Sequence, residues 1–229
     1  MAAVGDLVMR LLIINPNTSV GVTEHIARAA SSAAQPEDTL TVISAPFGVP
    51  LIIDENDVRT AVEAVIAAIN AHSYQVDGII IASFGDTGIE QVRNRVDCPV
   101  IGIAHAALLI ARAVGERFSI VSFDPALIPS LRGIVKRYGM ANRLASLRVV
   151  ENTSWDEIDT IQDGLHDELT SLCELSCADG GNSIILGGGP LAGMARRLVS
   201  PHITLPLIDG TTAAVHLMRG VLSGCHLSQ

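Results

Sequence analysis

The stretch GIIIASFGDTG, residues 78–88, joins an apolar run directly to a glycine-rich bend. Its three isoleucines predict a buried strand, and the helical pattern that follows predicts a strand–loop–helix unit. The hydroxyl side chain of Ser83 stands where the bend begins. Loops converge beyond the carboxyl ends of parallel strands, and α/β proteins place their reacting and ligand-binding groups there. The stretch therefore predicts an α/β fold and one edge of a site.

The same alternation of short apolar strands and amphipathic helices continues along the whole chain. We predict helices behind Asp54 or Asp57 as the N-cap, around Met194 and Leu198, and over a long segment that starts near Ser154, with an apolar face from Ile158 to Leu175. We predict strands at residues 11–14, 40–44, 78–82, 100–103, 118–122, 147–150, 183–186 and 205–208. This order indicates mainly parallel sheets flanked by helices.

The two halves of the chain are weak internal repeats of each other. DGIIIASFGDTG (residues 77–88) parallels NSIILGGGPLAG (182–193), and CPVIGIAHAA (98–107) parallels LPLIDGTTAA (205–214). Such self-similarity indicates duplicated strand–helix units that form two lobes. The loops at 15–18, 83–88, 122–125 and 187–193 should then meet in a site between the lobes.

Composition and charge exclude several classes of partner. The 229 residues include 24 acidic and 15 basic side chains, a net charge of −9, and no Lys/Arg stripe that could follow a phosphate backbone. The longest apolar stretch, residues 100–115, contains His105 and Arg112 and is too short to span a bilayer. No basic region precedes an apolar run at the N-terminus. We therefore expect a cytoplasmic protein with no nucleic-acid or membrane partner.

The cysteines do not indicate a disulfide framework or a metal site. Cys173 and Cys177 are four residues apart and could share a helix face, but no matching His/Cys pair stands nearby. Cys98 and Cys225 have no framework spacing. We interpret the cysteines as small hydrophobic residues and expect no metal.

The glycine-rich loops suggest a ligand without phosphate-loop chemistry. Gly187, Gly188 and Gly189 allow the backbone to approach a ligand with its amides turned inward, and the loop of Ser83, Phe84 and Gly85 offers the same from the other lobe. Two facing sets of amides suit a carboxylate or a hydantoin-like imide. The alternative is that the glycines only permit tight turns. No Gly-Lys-Ser/Thr follows these glycines, which excludes a nucleotide-binding P-loop, and they match the dinucleotide-binding fingerprint poorly.

Ser83 permits two interpretations. It is a covalent nucleophile, as in a hydrolase, or a loop-forming and ligand-bonding hydroxyl. Ile81 stands where the first glycine of a Gly-x-Ser-x-Gly elbow would be, which favours the second interpretation. His105 and Asp86 are the candidate bases. His105 could equally be an interior histidine, and Asp86 a helix N-cap before Thr87.

Several motifs, in order along the chain, resemble the aspartate/glutamate/hydantoin racemase superfamily, closest to its hydantoin and allantoin racemase branch. They are RLLIINPNTS (10–19), IIASFGDTG (80–88), CPVIGIAHAA (98–107), ERFSIVS (116–122), GNSIILGGGPLAGM (181–194) and LPLIDGTTAAV (205–215). The resemblance implies two pseudo-symmetric α/β lobes around a cleft, a small anionic or imide substrate, no cofactor and a homo-oligomer. With the repeats it places the first lobe at 10–104 plus 208–225, the second at 105–207, and residues 1–9 outside both as a candidate leader.

Members of this superfamily typically use two cysteines, one from each lobe, to move a proton at a carbon next to a carbonyl. Here those positions fall on Ser83 and Gly188, so the two-thiol mechanism cannot operate. Three accounts remain: a deliberate replacement of cysteine at Ser83; a different base, His105 or Asp86, for isomerisation, decarboxylation or bond cleavage; or a pocket that binds without chemistry.

We favour the second account and predict a cofactor-independent isomerase that acts on a small carboxylate or cyclic amide. Ile53 or Asp54 is expected to close the pocket. The predicted ligand contacts, around Ser83 and Gly188, are Asn15, Phe84, Gly85, Ser122, Gly187, Gly189 and Pro190.

Overall fold

The polypeptide forms two four-stranded parallel sheets with the same strand order. The computed structural model describes residues 7–72, 75–151 and 158–224. The first sheet has the order β2-β1-β3-β4, and the second has the order β6-β5-β7-β8. The strands are β1 (Arg10–Asn15), β2 (Thr39–Ser44), β3 (Gly78–Ile81), β4 (Val100–Gly102), β5 (Phe118–Ser122), β6 (Leu144–Val149), β7 (Ile184–Leu186) and β8 (Leu207–Asp209). The predicted α/β fold with two pseudo-symmetric lobes is confirmed.

Helices follow most strands, as parallel pairing requires. Within the described residues they are α1 (Val20–Ala33), α2 (Glu55–Ala71), α3 (Ile89–Arg93), α4 (Ile103–Val114), α5 (Ile128–Arg137), α6 (Ile161–Gly164), α7 (His166–Ser176) and α8 (Gly210–Gly224). Asp54 is the N-cap of α2 and forms a capping box with Asp57. Both predicted capping residues therefore act at the start of this helix.

All eight predicted strands are present, but two helix predictions are wrong. The predicted long helix is interrupted at Leu165, which separates α6 from α7, and its predicted start near Ser154 lies outside the described residues. Leu175, predicted on its apolar face, is 55% exposed. Around Met194 the chain makes only a short 3-10 turn, Met194–Arg196. Both segments have apolar residues at helical spacing, which alone does not determine where a helix breaks.

Strand periodicity divides the first sheet between two cores. Leu11 and Ile13 belong to a large apolar cluster that also includes Ile120 and Ile185 of the second sheet. Residues of opposite parity, such as Leu12, pack on the other face in a separate cluster with α2 and α3. Successive side chains of a strand point to opposite faces, so one face of the first sheet shares its core with the second lobe.

Helices α4 and α8 pack against each other where the lobes meet. Helix α4 contacts β4, β7 and β8, and α8 contacts α1, β3, β4 and β8. The packing of α8 on β3 is close, because a Cβ at Gly78 would lie 2.5 Å from the sulfur of Met218. None of the helices in the described ranges is long and apolar enough to cross a membrane.

We predict that Gly102→Ala destabilises the protein, whereas Gly133→Ala stabilises it slightly. A Cβ at Gly102 would lie 2.1 Å from Cγ of Asp86, and overpacking of this kind costs about 1–3 kcal/mol. Gly133 lies within α5 with nothing within 4 Å of the added carbon, so alanine should add about 0.5–1 kcal/mol through its helix propensity. Urea denaturation of both variants measures the difference; equal midpoints would contradict it.

Candidate active site

The loops at the carboxyl ends of the strands surround a cavity of about 780 Å³ between the two lobes. The first lobe contributes the segments around Ser83 and around Asp54, and the second contributes those around Phe123 and Gly188. The lining residues are Asn17, Leu51 to Glu55, Val58, Val62, Ala82 to Gln91, Phe123, Ala126, Leu127, Pro129 to Leu131, Arg137 and Gly187 to Pro190. Ile53 and Asp54, predicted to close the pocket, are therefore both part of its wall.

The two glycine-bearing loops are direct neighbours. A Cβ built on Gly189 would lie 3.1 Å from the carbonyl oxygen of Ala82, and one built on Gly187 would lie 3.7 Å from Cδ1 of Phe84. The loop after β3 therefore touches the loop after β7, although about 100 residues separate them in sequence. The cavity is lined by most of the predicted contact residues, namely Phe84, Gly85, Gly187, Gly189 and Pro190. It is also lined by Ser83 and Gly188, which stand where the resemblance places the two cysteines.

These loops leave backbone donors unused. Among the described residues, no hydrogen bond satisfies the N–H groups of Phe84, Gly85, Gly188 and Gly189. By contrast, Gly187 N–H donates to the carbonyl of Val121 at 2.8 Å. Unused amides around a cavity are the donors that a ligand carbonyl or carboxylate needs.

The Ser83 hydroxyl is half-buried and bonded within its own loop. Its Oγ donates to Thr87 Oγ1 at 3.1 Å and accepts from the N–H of Thr87 at 3.2 Å. No basic side chain bonds to Ser83 in the described part of the chain. This geometry fits a loop-forming hydroxyl at the cavity wall better than an activated nucleophile.

The Asp86 side chain lies beneath the loop and is bonded to the start of α4. Its carboxylate accepts from the N–H groups of Ala104 and His105, both at 3.0 Å, and from the hydroxyl of Tyr138 at 2.7 Å. Asp86 thus caps α4 and not, as the alternative prediction had it, the helix that follows Thr87. Its backbone has φ 47°, in the left-handed region. Burial raises the pKa of this carboxyl above its ordinary value, although the hydrogen bond from Tyr138 and those from the two amides act in the opposite direction.

The His105 ring does not line the cavity. It is half-buried and stacks on Tyr138, with ring centroids 4.4 Å apart and an interplanar angle of 8°. Burial lowers the pKa of His105, and the charges of Arg93 and Arg137 act in the same direction. Burial also raises the pKa of Tyr138 to about 12. No sequence motif marked Tyr138, which comes from the second lobe and contacts both candidate bases.

Asn15 and Ser122 support the loops from inside the protein. Asn15 is fully buried and donates to Asn17 Oδ1 at 2.8 Å and to Thr23 Oγ1 at 2.9 Å. Ser122, also fully buried, donates to the carbonyl of Gly187 at 2.5 Å. Neither predicted contact residue lines the cavity, whereas Asn17 does. The Asn-Pro-Asn sequence indicated that this loop belongs to the site, but it did not indicate which asparagine lines the cavity.

Phe123 occupies the space that a side chain at Gly188 would need. A Cβ at Gly188 would lie 2.4 Å from Cε1 of Phe123, a distance that real Cβ atoms do not show. Gly188 also has φ 149°, which side-chain-bearing residues rarely adopt. Phe123 is fully buried and lines the cavity; it lies in the loop predicted at 122–125, where the expected contact was Ser122. The second lobe therefore has an aromatic wall where a second thiol would stand.

The described residues show no cluster of side chains suited to a metal ion. The described residues contain no group of three or more His, Cys, Asp or Glu side chains that could hold a metal ion. Cys177 instead donates to the carbonyl of Cys173. Cys225 lies outside the described residues.

Two pseudo-symmetric α/β lobes that contribute equivalent loops to one cavity define a racemase-type fold. The sequence matches the family model described as Asp/Glu/Hydantoin racemase over residues 11–218. The chain belongs to this family.

Individual relatives agree with this assignment. Hydantoin racemase of Paenarthrobacter aurescens is 31% identical, over 94% of this chain and 92% of that protein. Among solved structures, allantoin racemase from Klebsiella pneumoniae has a TM-score of 0.87 and 33% identity, covering 94% of this chain and 88% of that chain. Allantoin racemase from Pseudomonas fluorescens has a TM-score of 0.86 and 27% identity, covering 94% and 91%.

We predict that Gly188→Ala is more destabilising than Gly193→Ala. Both glycines have positive φ, at 149° and 87°, so both variants carry backbone strain. The added carbon at 193 would be 3.7 Å from its nearest neighbour, whereas the one at 188 meets Phe123. Overpacking should make the first variant less stable than the second by about 1–3 kcal/mol in urea denaturation. If the two variants match, Phe123 does not block this position.

We predict a pH-dependent contribution of His105 to stability. Its folded-state pKa is lowered from 6.5, so the folded protein favours the neutral ring, while the unfolded chain takes up a proton near 6.5. This stabilisation is present above pH 6.5 and is lost as pH falls toward the lowered value. His105→Phe keeps a ring to stack on Tyr138 but cannot titrate. Measured in urea from pH 8 to pH 5, the free energy of unfolding of wild type should fall relative to that of the variant as pH decreases; a constant difference would contradict the prediction.

Proposed function

We propose that this protein is a cofactor-independent racemase of hydantoin-like cyclic amides. The observation that carries the proposal is a pair of adjacent loops that line one cavity between the lobes. In these loops the N–H groups of Phe84, Gly85, Gly188 and Gly189 have no hydrogen-bond partner among the described residues. The names of its relatives, hydantoin racemase and allantoin racemase, support this class of substrate.

The chemistry begins at the ring carbon that carries the substituent, next to a ring carbonyl. When its C–H bond breaks, the electron pair forms the carbon–carbon double bond of an enolate, and negative charge develops on the carbonyl oxygen. Amides of Phe84 and Gly189, one from each lobe, donate to that oxygen. Preorganised donors of this kind act on the transition state more strongly than on the substrate, and one donor contributes about 10²–10³ in rate.

The proton goes to hydroxide from the solvent, which becomes water. Ser83 has no basic partner, Gly188 has no side chain, and His105 does not line the cavity. Asp86, whose carboxylate already has three donors, positions the loop. The cavity is open to solvent, since Asp54, Glu55 and Glu90 at its wall are exposed. Water then returns a proton to either face of the enolate, which racemises the carbon and regenerates hydroxide.

We predict that the protein accelerates hydrogen–deuterium exchange at this carbon in 5-substituted hydantoins. The rate in D2O, followed by proton NMR, should exceed that in buffer by at least about 100-fold, the contribution of one oxyanion donor. Because hydroxide is the base, kcat/KM should rise tenfold per pH unit between pH 6 and pH 9. A bell-shaped profile would show instead that a side chain of the protein takes the proton.

Ser83→Cys is the matched test of the missing thiol. It restores a thiol at the wall of the first lobe and should raise kcat/KM by about 10²-fold, the lower range for general-base catalysis. Its profile should level off above about pH 8.5, where a thiol ionises. If neither wild type nor this variant exchanges deuterium although hydantoins bind, the protein binds without chemistry. Labelling of Ser83 by a fluorophosphonate would indicate a hydrolase.

Three further features remain predictions. These are the homo-oligomeric state, the cytoplasmic location, and the lobe boundaries at 104/105 and 207/208. The resemblance to the family motivates the first, and light scattering of the purified protein measures it.

A further inference from the structure

Helix α5 presents two polar side chains to the cavity. Ser130 and Arg137 both line it and are seven residues apart, which is two helical turns and the same face. A Cβ on Gly85 would lie 3.9 Å from Ser130 Oγ, so this hydroxyl stands opposite the amide-bearing loop of the first lobe. Arg132, two residues after Ser130, lies on the other side of the helix and is not part of the wall.

The exposed Arg137 guanidinium contacts Tyr138 and forms no salt bridge within the described residues. It lies 5.2 Å from the centre of the Tyr138 ring and donates to the Tyr138 hydroxyl at 3.3 Å. Among the described residues it is the one basic side chain that lines the cavity. Its charge acts on the buried carboxylate of Asp86 without bonding to it, because that carboxylate already has three donors, one of them the Tyr138 hydroxyl.

The acidic side chains of the cavity lie on the first-lobe side and are largely engaged. Asp54 accepts from the N–H groups of Asn56 and Asp57 at the start of α2, and Glu90 pairs with Arg93 at 2.9 Å. Glu55 stands in the first turn of α2, where the helix dipole favours a negative charge. The wall is therefore acidic on the first lobe and basic on the second.

We propose that Arg137 and Ser130 form a subsite for a carboxylate on the substituent of the ring. This inference rests on the proposed function and narrows its substrate class to hydantoins with an acidic side chain. The amides of Phe84 and Gly189 hold the ring, while the substituent extends toward α5. A guanidinium and a hydroxyl are the donors that such a carboxylate requires.

The test compares hydantoin-5-acetic acid with its primary amide, 5-(carbamoylmethyl)hydantoin, which has nearly the same shape and no charge. Wild type should exchange deuterium into the acid with a higher kcat/KM than into the amide. Arg137→Met should lower kcat/KM for the acid by about 10- to 100-fold, as for loss of a hydrogen bond to a charged group, and change that for the amide less than about 3-fold. Arg132→Met removes the same charge from the other face of α5 and should leave both values unchanged.

Binding separates this inference from the proposed function. 5-Methyl-hydantoin-5-acetic acid has no exchangeable C–H at C5, so its Kd, from calorimetry, reports binding without the exchange reaction. If Arg137→Met loses affinity but wild type exchanges no deuterium, the subsite proposal stands and the proposed racemase function is wrong. If both hydantoins exchange and Arg137→Met has no effect, the racemase function stands and the subsite proposal is wrong. Equal effects of the two arginine variants would also overturn the subsite, because the overall charge of the protein would then explain them. Equal losses for the acid and the amide would do so as well, because altered folding would then explain them.

Discussion

The buried Asp86 carboxylate holds the first loop of the site in place. It takes two N–H groups from the first turn of α4 and the hydroxyl of Tyr138 from the other lobe. These contacts hold Asp86, whose backbone is in the left-handed region, directly after Phe84 and Gly85 in the cavity wall. Burying a carboxylate is unfavourable unless its oxygens are satisfied, and three donors meet that requirement. The cavity therefore depends on one interaction that also joins the lobes.

The loop beside the second sheet is held in a similar way, with the carboxylate on the strand instead of the loop. Gly102 ends β4 and Asp209 ends β8 at equivalent positions of the two sheets, paired with Ile81 and Leu186. Beside the first sheet the loop supplies Asp86 and the strand end is glycine. Beside the second sheet Asp209 at the strand end accepts from Gly193 N–H in the loop and from Thr212 N–H in α8. A side chain at Gly102 would overlap Asp86, so there is room for only one carboxylate at the end of β4.

The site is less symmetric than the fold. Ser83 and Gly188 are equivalent in the repeats, but one carries a hydroxyl bonded to Thr87 and the other faces the ring of Phe123. The two positions therefore differ in what they can contribute to the cavity. The first retains room for a reacting side chain, whereas the second retains only its backbone donors. Charge follows the same division, since Arg137 lines the second lobe and the acidic side chains line the first.

The sequence by itself determined the strands, their mainly parallel arrangement and the two loops that meet, because periodicity and glycine are local signals that repeat in both halves. It also marked the positions of Ser83 and Gly188. It did not distinguish Asn17 from Asn15, or show that Asp86 and His105 both contact Tyr138. That Phe123 and not Ser122 lines the cavity from the predicted loop at 122–125, and that Ser130 and Arg137 line it too, became visible only in the tertiary structure. Which side of a loop faces a cavity depends on contacts between residues distant in sequence, and no local pattern carries that information.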